Sequence, residues 1–388
     1  MMTLSITNAI YFLNYTALVI DNSPVNRSAM SFDSIGYREY ITFGGMTELF
    51  TSNGISITMS DDLHYFNSRQ LVWALQSSNG PIPSARAYHA SAYSTYEQKL
   101  YTYGGVHFSD NYADPKIYMD LWSYWPYSNM WEVKSVVSLP GALYGAALFT
   151  VDDGIYIFGG ISINNGNSVY SNNMFKYNIT TNTWSNIFSQ NSLYPKARAN
   201  HQYWSEICSI SKNLDSTCKS SRLYINGGQG PKDSPTGRIE DTFSKTSGSM
   251  ILDDTWYFDI YSSSWIKVNT HANMKGRMDS VVLQIIPGIV IEQGGQANSS
   301  GRIFDEIRED HLNERYSALS DTWSYLESFS NWIPVKTEGN VMPLMRHSGA
   351  CDSMWEECFV VSGFNYVYSN NIGQIFNPYT YRLTVSQF

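Results

Sequence analysis

Apolar and aromatic residues fall in short runs along the whole chain, separated by breaks rich in Asn, Ser, Asp and Gly. Runs this short, bounded by turn formers and enriched in Tyr, Phe, Trp, Val and Ile, predict β-strands rather than helices. Five of the runs share one pattern: DLHYFNSRQLVW from Asp62, DLWSYWPYSNMW from Asp120, NMFKYNITTNTW from Asn173, DTWYFDIYSSSW from Asp254 and DTWSYLESFSNW from Asp321. In each, a tryptophan falls eleven positions after the Asp or Asn: Trp73, Trp131, Trp184, Trp265 and Trp332. In each, an aromatic stands four positions after it: Phe66, Tyr124, Tyr177, Phe258 and Tyr325. Fixed offsets recurring five times make a repeat, which sets the architecture before any other feature is weighed.

A second phrase precedes the first, a hydrophobic strand closed by two glycines: YITFGG ending at Gly45, LYTYGG at Gly105, IYIFGG at Gly160, LYINGG at Gly228 and VIEQGG at Gly295. A sixth, FVVSGF, keeps only Gly363, with Ser362 in the other place. Further upstream comes an arginine: Arg27, Arg86, Arg198, Arg277 and Arg346, with Leu143 in the third unit. Each unit therefore reads arginine, strand a, hairpin, strand b to Gly-Gly, loop, strand c from Asp, turn, strand d from Trp. A four-stranded meander cannot bury both faces alone, and radial packing of copies solves this while leaving only short edges.

These residues resemble the kelch repeat, from Arg27 to the C-terminus. The resemblance implies an all-β, six-bladed kelch-type β-propeller with four antiparallel strands per blade. The blades run approximately over residues 27–80, 81–138, 139–194, 195–272, 273–341 and 342–388, after an N-terminal segment, 1–26. The sixth departs from the pattern: its Asp place falls to Asn371 and its Trp place to Tyr381. Either the C-terminal YTYRLTVSQF or the N-terminal YFLNYTALVIDNSP is able to supply its outer strand.

In blade register the four cysteines form two pairs, each nearly symmetric about an a–b hairpin: Cys208 with Cys218, and Cys351 with Cys358. Antiparallel neighbours meet the separation that a disulfide requires. Disulfides, with the Asn-x-Ser/Thr sequons at Asn14, Asn26, Asn178 and Asn298, predict an oxidising compartment and a secreted or cell-surface protein. The N-terminal stretch lacks a positive leading region and a cleavage site, so it does not read as a signal peptide.

Charge then narrows the partners. Net charge is −9 with no basic run, which argues against nucleic acid. No apolar stretch reaches a membrane span. The enzyme that the resemblance suggests is galactose oxidase, a copper-dependent oxidase. That family's site needs a cysteine cross-linked to a tyrosine, and here all four cysteines are assigned to disulfides. His89 and His201 each follow their arginine by three, which makes them repeat positions rather than a ligand set. No catalytic residue, metal or cofactor is therefore expected. The reading is a monomeric binding module for a protein or glycan, with the copper oxidase as the alternative.

The expected binding face carries the b–c loops and the starts of strand a. From the second glycine to the Asp or Asn, those loops span 17, 15 and 13 residues in blades one to three, 26 in blades four and five, and 8 in blade six. Both long loops contain Gly-Arg-Ile, at Arg238 and Arg302. With Arg27, Arg86, Arg198, Arg277 and Arg346 at the channel mouth, they would form a basic site for a carboxylate-bearing glycan or an acidic peptide. A purely structural role for the repeat arginines is the competing expectation.

Overall fold

A computed structural model describes residues 12–24, 26–135, 139–164, 167–207, 220–232, 243–244, 249–297, 318–339, 343–368 and 372–386. It is a six-bladed β-propeller. In chain order the a–d strands of the first five blades are Ser31–Gly36, Glu39–Phe43, Leu63–Asn67 and Val72–Gln76; Ala90–Ser94, Lys99–Tyr103, Leu121–Trp125 and Met130–Ser135; Ala147–Val151, Gly154–Phe158, Met174–Asn178 and Thr183–Ile187; Gln202–Glu206, Arg222–Asn226, Thr255–Asp259 and Ser264–Val268; and Val281–Ile286, Ile289–Gln293, Thr322–Leu326 and Asn331–Pro334. Strand a of every blade lies innermost, against the a strands of its neighbours.

The fixed offsets in the sequence are now explained. The aromatic and the tryptophan seven residues later sit directly opposite across strands c and d: Phe66 with Trp73, Tyr124 with Trp131, Tyr177 with Trp184, Phe258 with Trp265 and Tyr325 with Trp332. Each tryptophan also reaches into the preceding blade. Trp131 packs on Phe43 with ring centroids 4.9 Å apart, Trp184 on Tyr103 at 5.8 Å and Trp265 on Phe158 at 4.7 Å. Trp73 and Trp332 donate their indole N–H to Thr380 and Thr255, at 3.3 and 3.0 Å. Four of the five are buried, and Trp184 is half-buried. The same motif thus builds a blade and joins it to the one before.

The Gly-Gly pairs mark a crossing of backbones. A Cβ on Gly104 would lie 2.2 Å from the carbonyl oxygen of Leu143 in the next blade, and at Gly44 it would lie 2.5 Å from that of Arg86. No side chain fits there.

Blade six corrects two assignments made from sequence. Its strands a and b are Ser348–Asp352 and Glu357–Val361, but its strand c is Thr380–Ser386, and the N-terminal Phe12–Leu18 takes the outer d place. Tyr381 therefore belongs to strand c, not to the Trp position, and Asn371 lies outside the described residues. The backbone settles the register. Gly363 accepts from Asn377 N–H as Gly45 accepts from Ser60 N–H, so Tyr379, two residues on, stands where Asp62 stands in blade one. The loop from Gly363 to Tyr379 then spans 16 residues, in line with blades one to three. Lys336–Glu338 adds a fifth strand, parallel to Phe12–Leu18.

Candidate functional site

Strand direction gives the disc two faces. One carries the b–c loops and the starts of strand a; the other carries the a–b and c–d turns. On the first face the b–c loops fold into a second tier of ribbons. Blade one contributes Met46–Thr51 with Gly54–Met59, blade three Ile161–Asn164 with Asn167–Tyr170, blade four Gln229–Pro231 with Ser249–Ile251, and blade six Phe364–Tyr368 with Ile372–Phe376. Blade two adds the short pair Val106–His107 and Lys116–Ile117. These ribbons hold one another sideways. Asn111 and Asp110 of blade two accept from Ile55 N–H and Ile57 N–H of blade one at 2.7 and 2.8 Å. Phe243–Ser244, from the long loop of blade four, joins the blade-three ribbon as its third strand. Met46, Val106, Phe108, Ile161 and Tyr170 form a common apolar layer beneath.

The repeat arginines lie under this tier. Arg86 donates to both carboxylate oxygens of Asp120 at 2.7 and 2.9 Å and to the Gly104 carbonyl at 2.8 Å. Arg27 with Asp62, Arg198 with Asp254 and Arg277 with Asp321 repeat the arrangement. Burial alone would raise these carboxyls; the arginines' hydrogen bonds and charge outweigh it and hold all four below the ordinary aspartate range. Arg86, Arg198 and Arg277 are fully buried. Their donors are spent on tying strand a to the end of strand b and the start of strand c.

Arg346 is a different residue from these four, which corrects its place in the set. Leu344 is the true equivalent in blade six: its carbonyl accepts from Gly295 N–H as that of Arg86 accepts from Gly45 N–H. Outside blade four, whose hairpin carries an insertion, the hairpin lengths vary by two residues between blades, so spacing alone admitted either position. Arg346 instead belongs to a closed ring of backbone hydrogen bonds around the axis. Tyr88 N–H donates to Ala29, Gly145 to Tyr88, Asn200 to Gly145, Asp279 to Asn200, Arg346 to Asp279 and Ala29 to Arg346, at 2.8–3.2 Å. All six residues adopt a left-handed backbone, with φ of 53–64°. From this ring Arg346 reaches Glu48 of the blade-one ribbon at 3.2 Å and Asp279 at 3.7 Å. The three side chains of that ion cluster are buried beside the ring.

Below the ring, the six a strands enclose a cavity of about 710 Å³ that runs to the a–b turns. His89 and His201 stand in its wall with His347, which the corrected register makes their equivalent. The three occupy alternate blades. Burial first, then a nearby arginine, depresses His89 to about 3 and His201 well below its usual value, and burial likewise takes His347 to about 3. They are neutral at physiological pH. Sequence inspection also passed over Glu48, Asp33 and Glu206, because acidic residues in a loop and in alternating strands carry no signal until the ring is closed.

Cys351 and Cys358 face each other across the a–b hairpin of blade six and form a disulfide. Cys208 and Cys218 lie outside the described residues, as do Arg238, Arg302 and Asn298. Asn14 and Asn26 are exposed, whereas the Asn178 side chain donates to Asp153 and accepts from Thr181.

Compared with known proteins, residues 29–295 match the KLHDC2/KLHL20/DRC7 Kelch-repeats domain. The chain is also 32% identical over 122 residues to the Tip elongation aberrant protein 1 of Schizosaccharomyces pombe. That stretch is 31% of this chain and 10% of the yeast protein, so the two share a segment rather than a whole-length likeness.

Proposed function

The chain belongs to the Kelch-repeat family, and from that membership we propose that it is a protein-interaction module whose partner docks on the ribbon face. The observation that carries this reading is the second tier itself. Five blades extend their b–c connections into ribbons, and hydrogen bonds tie blade one to blade two and blade three to blade four. A surface held this firmly before binding loses little conformational entropy on association. It presents apolar side chains, with Leu49 56% and Ile163 37% exposed, among polar neighbours, as protein-binding surfaces do. The disulfide and the exposed sequons support an extracellular setting for this interaction. Mass spectrometry of the natural protein, reading disulfides and N-glycans together, tests the setting; free thiols and bare sequons would contradict it. Docking is tested by Leu49→Glu with Ile163→Glu. This pair should reduce recovery of the natural partner at least tenfold, at an unchanged melting temperature. Unchanged recovery would contradict the assignment of the face.

A further inference from the structure

The opposite face leads into the cavity, whose wall carries two acids, Asp33 and Glu206, that form no ion pair among the described residues; Arg346, which also lines it, is held by Glu48 and Asp279. Asp33, in strand a of blade one, lies three residues below the turn at Gly36, about 10 Å down the wall. It accepts one hydrogen bond, from Ser91 Oγ at 2.6 Å. Tyr203 from blade four crosses toward the same place and donates to the Ser91 carbonyl at 3.1 Å. Glu206 stands nearer the mouth on blade four, across the axis from blade one. One of its oxygens accepts from Gln284 and from Gly288 N–H, both at 2.8 Å. Burial pushes both up to about 7, and for Glu206 the charge of nearby Arg222 offsets only part of that rise.

A second observation is independent of these acids. The Asn200 side chain, 93% buried in the cavity wall at the ring, has neither its amide nitrogen nor its oxygen hydrogen-bonded, and both ring nitrogens of His89 and His201 are likewise unpartnered. Buried polar atoms left unpaired are costly, and here they line a space large enough to admit a ligand. Around the mouth, next along the chain from lining residues, stand the exposed side chains of Tyr37, Tyr96 and Met354. Aromatic and methionine side chains at a rim suit a protein surface rather than a free ion.

We propose that this cavity, entered from the a–b turn face, takes the guanidinium or ammonium group of a basic side chain presented by a protein partner, with Asp33 and Glu206 as its counter-ions. The site is separate from the ribbon face: the ring and the Arg346–Glu48–Asp279 cluster stand between them, so either is able to fail without the other. A long basic side chain matches the depth of Asp33, and the rim holds the flanking peptide. The Asn200 side-chain Oδ1 offers a further acceptor at the bottom.

The probe is an acetylated, amidated Gly-Arg-Gly peptide, titrated calorimetrically against the whole chain beside its citrulline counterpart, which keeps the shape and loses the charge. The arginine peptide should bind at least tenfold more tightly than the citrulline one. Asp33→Asn with Glu206→Gln should remove that preference without lowering the melting temperature, because each change discharges an acid that forms no ion pair and that burial already disfavours as a charge. The citrulline comparison needs no variant, so a variant that fails to fold leaves the test standing. Equal binding of the two peptides, no binding of either, or a preference that survives in a folded double variant would overturn the proposal.

Discussion

The arginine–aspartate pair is the smallest unit on which this propeller depends, and blade three shows what it costs to lose. There Leu143 and Asn173 replace arginine and aspartate, so an apolar residue and a neutral amide satisfy the same place. Removing one member of a buried pair strands the other, at about 3–5 kcal/mol, whereas replacing both with fitting neutral residues costs far less. Asp120→Asn alone, which leaves Arg86 buried and uncompensated, should therefore destabilise more than Arg86→Leu and Asp120→Asn together. Denaturant midpoints decide it; a double variant as unstable as the sum of the singles would contradict the account. The histidines make a second residue-scale prediction. An unfolded histidine takes up its proton near 6.5, while folded His89 and His347 do so only near 3 and burial holds His201 well below its usual value. Their contribution is thus present above pH 6.5 and lost as the pH falls, at about 1.4 kcal/mol per unit for each histidine. Asp33 and Glu206 act in the opposite sense: raised to about 7, they contribute stability at low pH that is lost as the pH rises toward 7. Comparing the parent with His201→Ala, the residue type of Ala146 in blade three, cancels the carboxylates. The variant's melting temperature should fall less steeply from pH 7 to 5, and an unchanged slope would contradict this.

At the scale of elements, the cross-strand aromatic pairs explain why so much of the architecture was legible. Phe258 and Trp265 sit opposite each other in strands c and d, so one offset of seven residues encodes both a register and an inter-blade joint. Cutting fully buried Trp265 to Ala should cost about 3–5 kcal/mol, and the half-buried Trp184 should cost less. Chemical denaturation of both variants checks the order, and equal losses would mean that the joint does not depend on burial. Legibility failed where the motif is incomplete. Blade six has neither the Asp nor the Trp, so the sequence offered no anchor for strand c, and Asn371 and Tyr381 were drawn in. The arginine register failed for a related reason: Leu344 is an ordinary apolar residue, while Arg346 two positions on falls inside the tolerated hairpin length. Only the hydrogen bonds around the axis separate the two.

For the whole molecule, the ring of six backbone hydrogen bonds and the closure of blade six by the N-terminal strand make one body with two unlike faces. The ribbon tier makes one face broad and firm; the a–b turns leave the other open to an acidic cavity. Glu357 ties the closure together on that second face, accepting from Arg38 of blade one at 2.6 Å and from Arg382 of blade six at 2.8 Å. None of this could be read along the chain, because Glu48, Asp33 and Glu206 acquire their meaning only from residues in other blades. The central claim is that the partner sits on the ribbons, and site-specific photo-crosslinking tests it most directly. A crosslinking amino acid is placed at Leu49 or Ile163 on the ribbon face, or at the exposed Tyr261 or Phe329 on the outer rim of the other. The account predicts one discrete protein adduct shared by Leu49 and Ile163 and absent from Tyr261 and Phe329. That adduct forming from Tyr261 and Phe329, with none from Leu49 and Ile163, would contradict it.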